Sequence, residues 1–121
     1  MASQPQAPAA LLRIYTEEAR RAGARPLYEA LVLKARHAKI AGATVLRGPM
    51  GYGGSARLHN ANILDLSANL PLVIEMVDDE PKLRAFAASL DQFKAIGLVT
   101  LEKVEVLHAG HAPAGRPQAE M

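Results

Sequence analysis

The chain has 121 residues, half of them hydrophobic, and sets 14 basic against 12 acidic side chains for a formal charge of +2. That length and apolar content suit one globular domain, its core built from Leu, Val, Ile and Ala because aromatics are scarce. The lack of cysteine excludes disulfides, thiol catalysis and cysteine-bound metal.

The basic residues are scattered and not gathered into a stripe, and few aromatics are available to stack on bases, so no nucleic-acid partner is expected. Residues 1–9 are rich in Ala, Gln and Pro and are expected to be disordered; they lack the basic start and apolar run of a signal peptide. No apolar run approaches the roughly 18 residues of a spanning helix. A cytoplasmic protein without direct membrane insertion is the default expectation.

Ala10 to Tyr15 reads as a first strand, with β-favouring Ile14 and Tyr15 at its end. Thr16 to Arg25 reads as a charged loop around Gly23. Pro26 suits a first helical position, and Leu27, Leu31, Ala35 and Ala38 continue at helical spacing toward a stop before Gly42. Gly42 to Tyr52 is the predicted second strand and Leu70 to Val77 the third. Leu70, Leu72, Ile74 and Met76 alternate there with Pro71, Val73, Glu75 and Val77, so both faces are largely apolar. Asp78-Asp79-Glu80 before Pro81 predicts a helix start with negative charge at the positive end of the dipole. Leu83, Phe86, Leu90 and Phe93 form its stripe, and Gly97 is a natural stop. Val99 to Leu107 is the fourth strand, whose alternation slips near Glu102 and suggests a bulge.

The order is β-α-β-β-α-β, an α+β ferredoxin-like arrangement with a four-stranded antiparallel sheet and two helices on one face. Two helices cover one face, while the third strand is apolar on both. Burial against other subunits is the simplest solution, so a closed homo-oligomer is expected.

Polar chemistry concentrates where the second strand runs into Gly51-Tyr52-Gly53-Gly54-Ser55, followed by Arg57, His59, Asn60, Asn62 and Asp65. Clustered glycines can turn backbone N–H groups toward an anion, with φ > 0 where needed, and the same cluster also reads as a flexible turn. No Gly-Lys-Ser/Thr follows, so it is not an NTPase P-loop. Arg47 and Arg57 flank the glycines as bidentate ligands for phosphate or carboxylate, or as solvated cations. Arg47 favours the first role because it interrupts an apolar strand. Ser55 would add a hydroxyl. His59, Asn60, Asn62 and Asp65 fit loop structure or partner contact better than a metal site, for no ligand-spaced cluster contains them. Glu75, between Ile74 and Met76, needs a partner such as an arginine across an interface if it is buried. Nucleophile–base or paired-carboxylate patterns are not evident, so no catalytic residue is assigned and no enzyme is expected.

Leu27-Tyr28-Glu29-Ala30, Ala41-Gly42-Ala43-Thr44-Val45-Leu46-Arg47-Gly48, Leu70-Pro71-Leu72-Val73-Ile74-Glu75 and Gly97-Leu98-Val99-Thr100-Leu101-Glu102 carry a combined resemblance. Together they resemble an uncharacterised branch of the PII-like signalling proteins, a domain of unknown function sometimes associated with fluoride-exporter proteins. The resemblance runs from Leu11 to Leu107, which sets a domain over residues 10–108 and a disordered tail over 109–121. It implies a homotrimer with ligands in intersubunit clefts, near the base of a long loop between strands two and three. Gly51-Tyr52-Gly53 resembles the Gly-aromatic-Gly at that loop's base. Two features depart from the pattern: Gly97 is the one glycine before the last strand, and the loop has no tyrosine beyond Tyr52.

The resemblance implies a non-catalytic sensor. Arg47, Gly51, Gly53, Gly54, Ser55 and Arg57 would hold a small anionic metabolite, such as an adenine nucleotide as effector. The loop with His59, Asn60, Asn62 and Asp65 would face a target protein. The alternative is a ligand-independent oligomeric partner of a membrane transporter.

Overall fold

The computed structural model describes residues 8–53, 59–60, 69–93 and 96–110. Four strands form one antiparallel sheet: β1 (Ala9–Glu17), β2 (Thr44–Arg47), β3 (Pro71–Asp79) and β4 (Val99–Lys103), in the order β2-β3-β1-β4. Helices α1 (Leu27–His37) and α2 (Glu80–Ala88) cover one face, and α2 runs on as a 3-10 turn over Ser89–Gln92. The ferredoxin-like α+β fold expected from the sequence is the fold observed.

Alternation decides which side of each strand is buried. Ala10, Leu12, Ile14 and Thr16 of β1, and Leu72, Ile74 and Met76 of β3, point under the helices. Leu27, Leu31 and Ala35 of α1 and Leu83 and Phe86 of α2 meet them, with Leu90 from the following turn. Their spacing of three, four or seven residues keeps each helical set on one side. The nine-residue register from Ala9↔Asp79 to Glu17↔Pro71 makes β1–β3 the spine of the sheet.

The opposite face carries Leu11, Arg13, Tyr15, Val73, Glu75 and Val77, and no element of the chain packs over it among the described residues. Arg13 lies at its centre. Its Nε donates to Glu75 Oε2 at 3.0 Å and its terminal nitrogen to Glu102 Oε1 at 2.6 Å. Glu75 therefore has its arginine within the same chain, across the β1–β3 ladder. The Glu75 hydrogen bond first, and then that of Glu102, raise the affinity of the Arg13 guanidinium for its proton.

Several boundaries differ from the sequence expectations. Thr16 and Glu17 belong to β1, and the segment after them folds as a small hairpin of Arg21–Ala22 with Arg25–Pro26, turning at Gly23 with φ 64°. Pro26 precedes the helix as its extended cap, and α1 begins at Leu27. That helix stops well before Gly42, because Lys39 adopts φ 64°. The second strand breaks after Arg47, where Gly48 still donates to the Pro71 carbonyl at 2.8 Å but Pro49 has no N–H to give. Pairing resumes as the two-residue strand Met50–Gly51.

The helix starts where Asp78-Asp79-Glu80 predicts, with Asp79 as its extended cap and Glu80 as its first residue, but β3 runs two residues past Val77 to reach it; the Asp78 carboxylate accepts from Ala41 N at 2.9 Å. β4 has no bulge, for its register with β1 is regular from Val99 to Lys103. It ends at Lys103, opposite Ala10, and Val104 N still donates to the carbonyl of Ala9, the first residue of β1, at 3.2 Å. Gly97 does not cap a helix. It lies against β1, where an added Cβ would sit 2.8 Å from the Tyr15 carbonyl oxygen.

Candidate functional site

Three chain segments come together at one end of the sheet. β1 leaves at Glu17, β2 leaves at Arg47 and β3 enters at Pro71, with Glu17 opposite Pro71 and Arg47 opposite Leu72. The glycine segment emerges from this end. Met50 and Gly51 pair through their backbones with Asn60 and His59, which closes the stem of the long connection.

The returning chain is clamped by Asn69. Its side-chain oxygen accepts from Ala19 N at 2.7 Å, and its amide nitrogen donates to Glu17 Oε1 at 2.8 Å. Leu70 O accepts from Glu18 N at 2.8 Å beside it. The turn after β1 is thus fastened to the strand that follows the loop, and Glu18 is held in a fixed place. Its carboxylate lies 2.8 Å from the Arg47 guanidinium. Glu17 adds a longer ion pair to Arg20, 3.6 Å away.

Arg47 is 61% exposed on its side chain despite this pair, and a guanidinium has five donors, more than one carboxylate takes up. Gly51 packs closely on the strand entrance, since a Cβ there would approach Pro71 Cγ at 3.3 Å. Gly53 is open, with nothing within 4 Å of an added Cβ. Gly53 does not use the left-handed backbone open to glycine, which among the described glycines occurs at Gly23 and Gly110. Tyr52, between the two, is 71% exposed.

The structure therefore gathers Arg47, Gly51 and Gly53 around the loop base, and places the backbones of His59 and Asn60 against Gly51 and Met50. Gly54, Ser55, Arg57, Asn62 and Asp65 lie outside the described residues. No group of three or more His, Asp or Glu side chains suited to a metal ion occurs among the described residues. Sequence reasoning missed Glu18 and Asn69. Asn immediately before an apolar strand is a turn signal that could have found the clamp. Nothing local could have paired Glu18 with Arg47, which are brought together by the sheet.

Chemically, the site offers an exposed guanidinium beside a glycine-rich strand exit. Such an arrangement can accept a phosphate or carboxylate by charge-assisted hydrogen bonds, with backbone amides as further donors. Glu18 is the local competitor for the same guanidinium.

A family model, DUF190, described as an uncharacterized ACR, matches residues 9–106. A UPF0166 protein of Aquifex aeolicus is 37% identical over 98 residues, covering 81% of this chain and 92% of that protein. UPF0166 protein MJ1524 of Methanocaldococcus jannaschii is 33% identical over 101 residues, covering 81% and 91% of the two chains. Among solved structures, CPII from Thiomonas intermedia K12, bound to ADP and bicarbonate, is similar in fold with a TM-score of 0.62. It is 19% identical, and the match covers 82% of this chain and 88% of that one.

Proposed function

The chain belongs to the DUF190 family, and from that premise and its likeness in fold to CPII we propose that it is a PII-like, cytoplasmic, non-catalytic sensor of a small anionic metabolite. The ligand binds at the loop base, in a cleft completed by a second subunit of a homotrimer. Arg47 supplies the charge and Gly51, Gly53 and Gly54 supply backbone amides, with Ser55 and Arg57 closing the site. An adenine nucleotide is the first candidate, because the CPII of similar fold carries ADP. Binding orders the loop that bears His59, Asn60, Asn62 and Asp65, and that loop meets a target protein.

One observation carries this reading. An exposed arginine stands at the point where the glycine-rich segment leaves the sheet, and the Asn69 clamp pins the other side of the same opening. A loop anchored at both ends to a rigid sheet can translate an anion at its base into a change at its tip.

The test is thermal denaturation of the purified protein with ADP, ATP, AMP, cyclic nucleotides and bicarbonate. A ligand that binds the folded state raises the melting temperature in a concentration-dependent way. A rise with one nucleotide supports the sensor, and turnover of that nucleotide would replace it with an enzyme.

A second reading rests on the apolar exposure of Met50 and Tyr52 at the loop base. Exposed large side chains there suit protein contact without any metabolite, as in a constitutive partner of a membrane transporter. No thermal shift across the screen, with retention of a transporter by the assembled protein, would favour it.

A further inference from the structure

A groove of about 450 Å³ opens on the helical layer, between the last turn of α1 and the first two turns of α2. It lies apart from the loop base and does not depend on any ligand there. Lys34, His37 and Lys82 line it from both helices, no Asp or Glu lines it among the described residues, and Ala38, Ala85, Phe86 and Ser89 complete it.

The placement of these basic groups is informative. Lys34 and His37 stand at the carboxyl end of α1, where positive charge complements the dipole. Lys82 stands in the first turn of α2, where the dipole opposes a cation. It is kept there by Asp78 Oδ2 at 3.2 Å and by the Lys39 carbonyl, to which its ammonium donates. An ammonium has three donors, so one is left over. Lys39 itself takes the left-handed conformation that glycine or asparagine usually supplies at a helix exit. Among the described residues, the side chains of Lys34 and His37 have no hydrogen-bond or ion-pair partner.

We propose that this groove docks an acidic segment of a partner protein. Carboxylates of the segment pair with Lys34, His37 and the remaining donor of Lys82, and an apolar side chain rests over the exposed Ala38 and Ala85. Asp78 answers one of the three basic groups, Lys82, and the other two have no partner among the described residues, so the groove is electrostatically complementary to such a segment. A nucleic acid fits less well: the exposed aromatic among the described residues, Tyr52, is not in the groove. A membrane fits less well too, because the exposed large apolar side chains, from Leu46 to Leu107, all lie elsewhere.

The experiment is fluorescence anisotropy of a short labelled peptide of alternating Glu and Leu, titrated with the full-length protein. Parallel titrations use its Gln-for-Glu counterpart, a single-stranded oligonucleotide and anionic phosphatidylserine vesicles. The acidic peptide should bind, and the double variant Lys34→Gln/His37→Gln should weaken it about tenfold, as expected for losing a charged hydrogen bond. Lys34→Arg should retain binding. Arg25→Gln, at the opposite end of α1, should leave it unchanged, and all variants should melt like the parent. Equal weakening by Arg25→Gln would mean diffuse attraction and would overturn the proposal. So would absence of peptide binding, equal binding of the Gln peptide, or a groove-dependent preference for the oligonucleotide or the vesicles.

Discussion

Glu18 holds the Arg47 guanidinium at 2.8 Å, and the Asn69 clamp in turn fixes the turn that carries Glu18. The pair is partly exposed, so its own contribution to stability is small, about 0–1 kcal/mol. Its weight falls on the site instead: an anion arriving at Arg47 competes with the Glu18 carboxylate. Glu18→Gln should therefore tighten an anionic ligand by up to about fivefold, the factor that 1 kcal/mol corresponds to. Arg47→Ala should weaken it by about 1.5–3 kcal/mol. Titration calorimetry with the nucleotide found by thermal screening checks both. Weaker binding in Glu18→Gln would make Glu18 a positioning group for Arg47.

Gly53 separates ligand contact from fold stability, because an added Cβ has open space around it. Gly53→Val should leave the melting temperature of the free protein within the range of a surface change, about 0.5 kcal/mol. It should at the same time remove ligand-induced stabilisation if the amides beside it face the anion. Unaltered ligand affinity would move the site away from the glycine segment.

The core and the element order were legible because each buried set repeats with the period of its element. Leu12 and Ile14 alternate, and Leu27, Leu31 and Ala35 step by four. What sequence hid was non-local. Glu102 looked like a phase slip because Val104 and Val106 were counted into a strand that ends at Lys103. The helix start at Asp78-Asp79-Glu80 was legible, but nothing local shows that the Asp78 carboxylate is taken by Ala41 N and Lys82. Composition singles out the glycine segment as a candidate site and an apolar strand singles out Arg47, and the fold brings both to the loop base. Glu18 became visible through the sheet alone.

Thr16 is buried under the helices, and its hydroxyl has no hydrogen-bond partner among the described residues. A buried unsatisfied hydroxyl costs about 1–3 kcal/mol. Thr16→Val keeps the shape and the β-branched preference for strand while deleting that oxygen. It should stabilise the protein by about 1 kcal/mol in a urea melt. Destabilisation would show that the hydroxyl finds a partner in solution.

Glu80 opens α2 and accepts from Arg84 Nε at 2.8 Å. That bond chiefly, opposed by partial desolvation and helped by Lys103, holds the carboxyl below its ordinary value of 4.5. A carboxyl lowered on folding binds more protons when unfolded, so its contribution is present above the ordinary value. It is lost as pH falls through the folded value. Stability should therefore decline on acidification below about pH 4.5, and Arg84→Gln should flatten that decline by lowering stability slightly at neutral pH while leaving the acid end unchanged. Melting temperatures between pH 3 and 7, roughly the span over which such a carboxyl titrates, measure it. An identical profile in the variant would mean that the pair does not persist in solution.

Arg13 links the open sheet face to assembly. It joins Glu75 and Glu102 among Leu11, Tyr15, Val73 and Val77. While that face meets water, the two ion pairs add little to stability. Beneath a second subunit of the proposed homotrimer they would be desolvated, and removing the arginine would strand two buried carboxylates, a strongly destabilising change. Arg13→Met should therefore dissociate the proposed homotrimer at micromolar concentration while altering the stability of the single chain far less. Adding Glu75→Leu and Glu102→Leu should restore assembly, since an apolar replacement of a buried charge cluster is often neutral or stabilising. Sedimentation velocity on the parent, the single variant and the triple variant measures each step. An unchanged sedimentation coefficient in Arg13→Met would place the subunit contacts elsewhere. Dissociation that the triple variant fails to reverse would mean that the charges themselves, and not their burial, hold the subunits together.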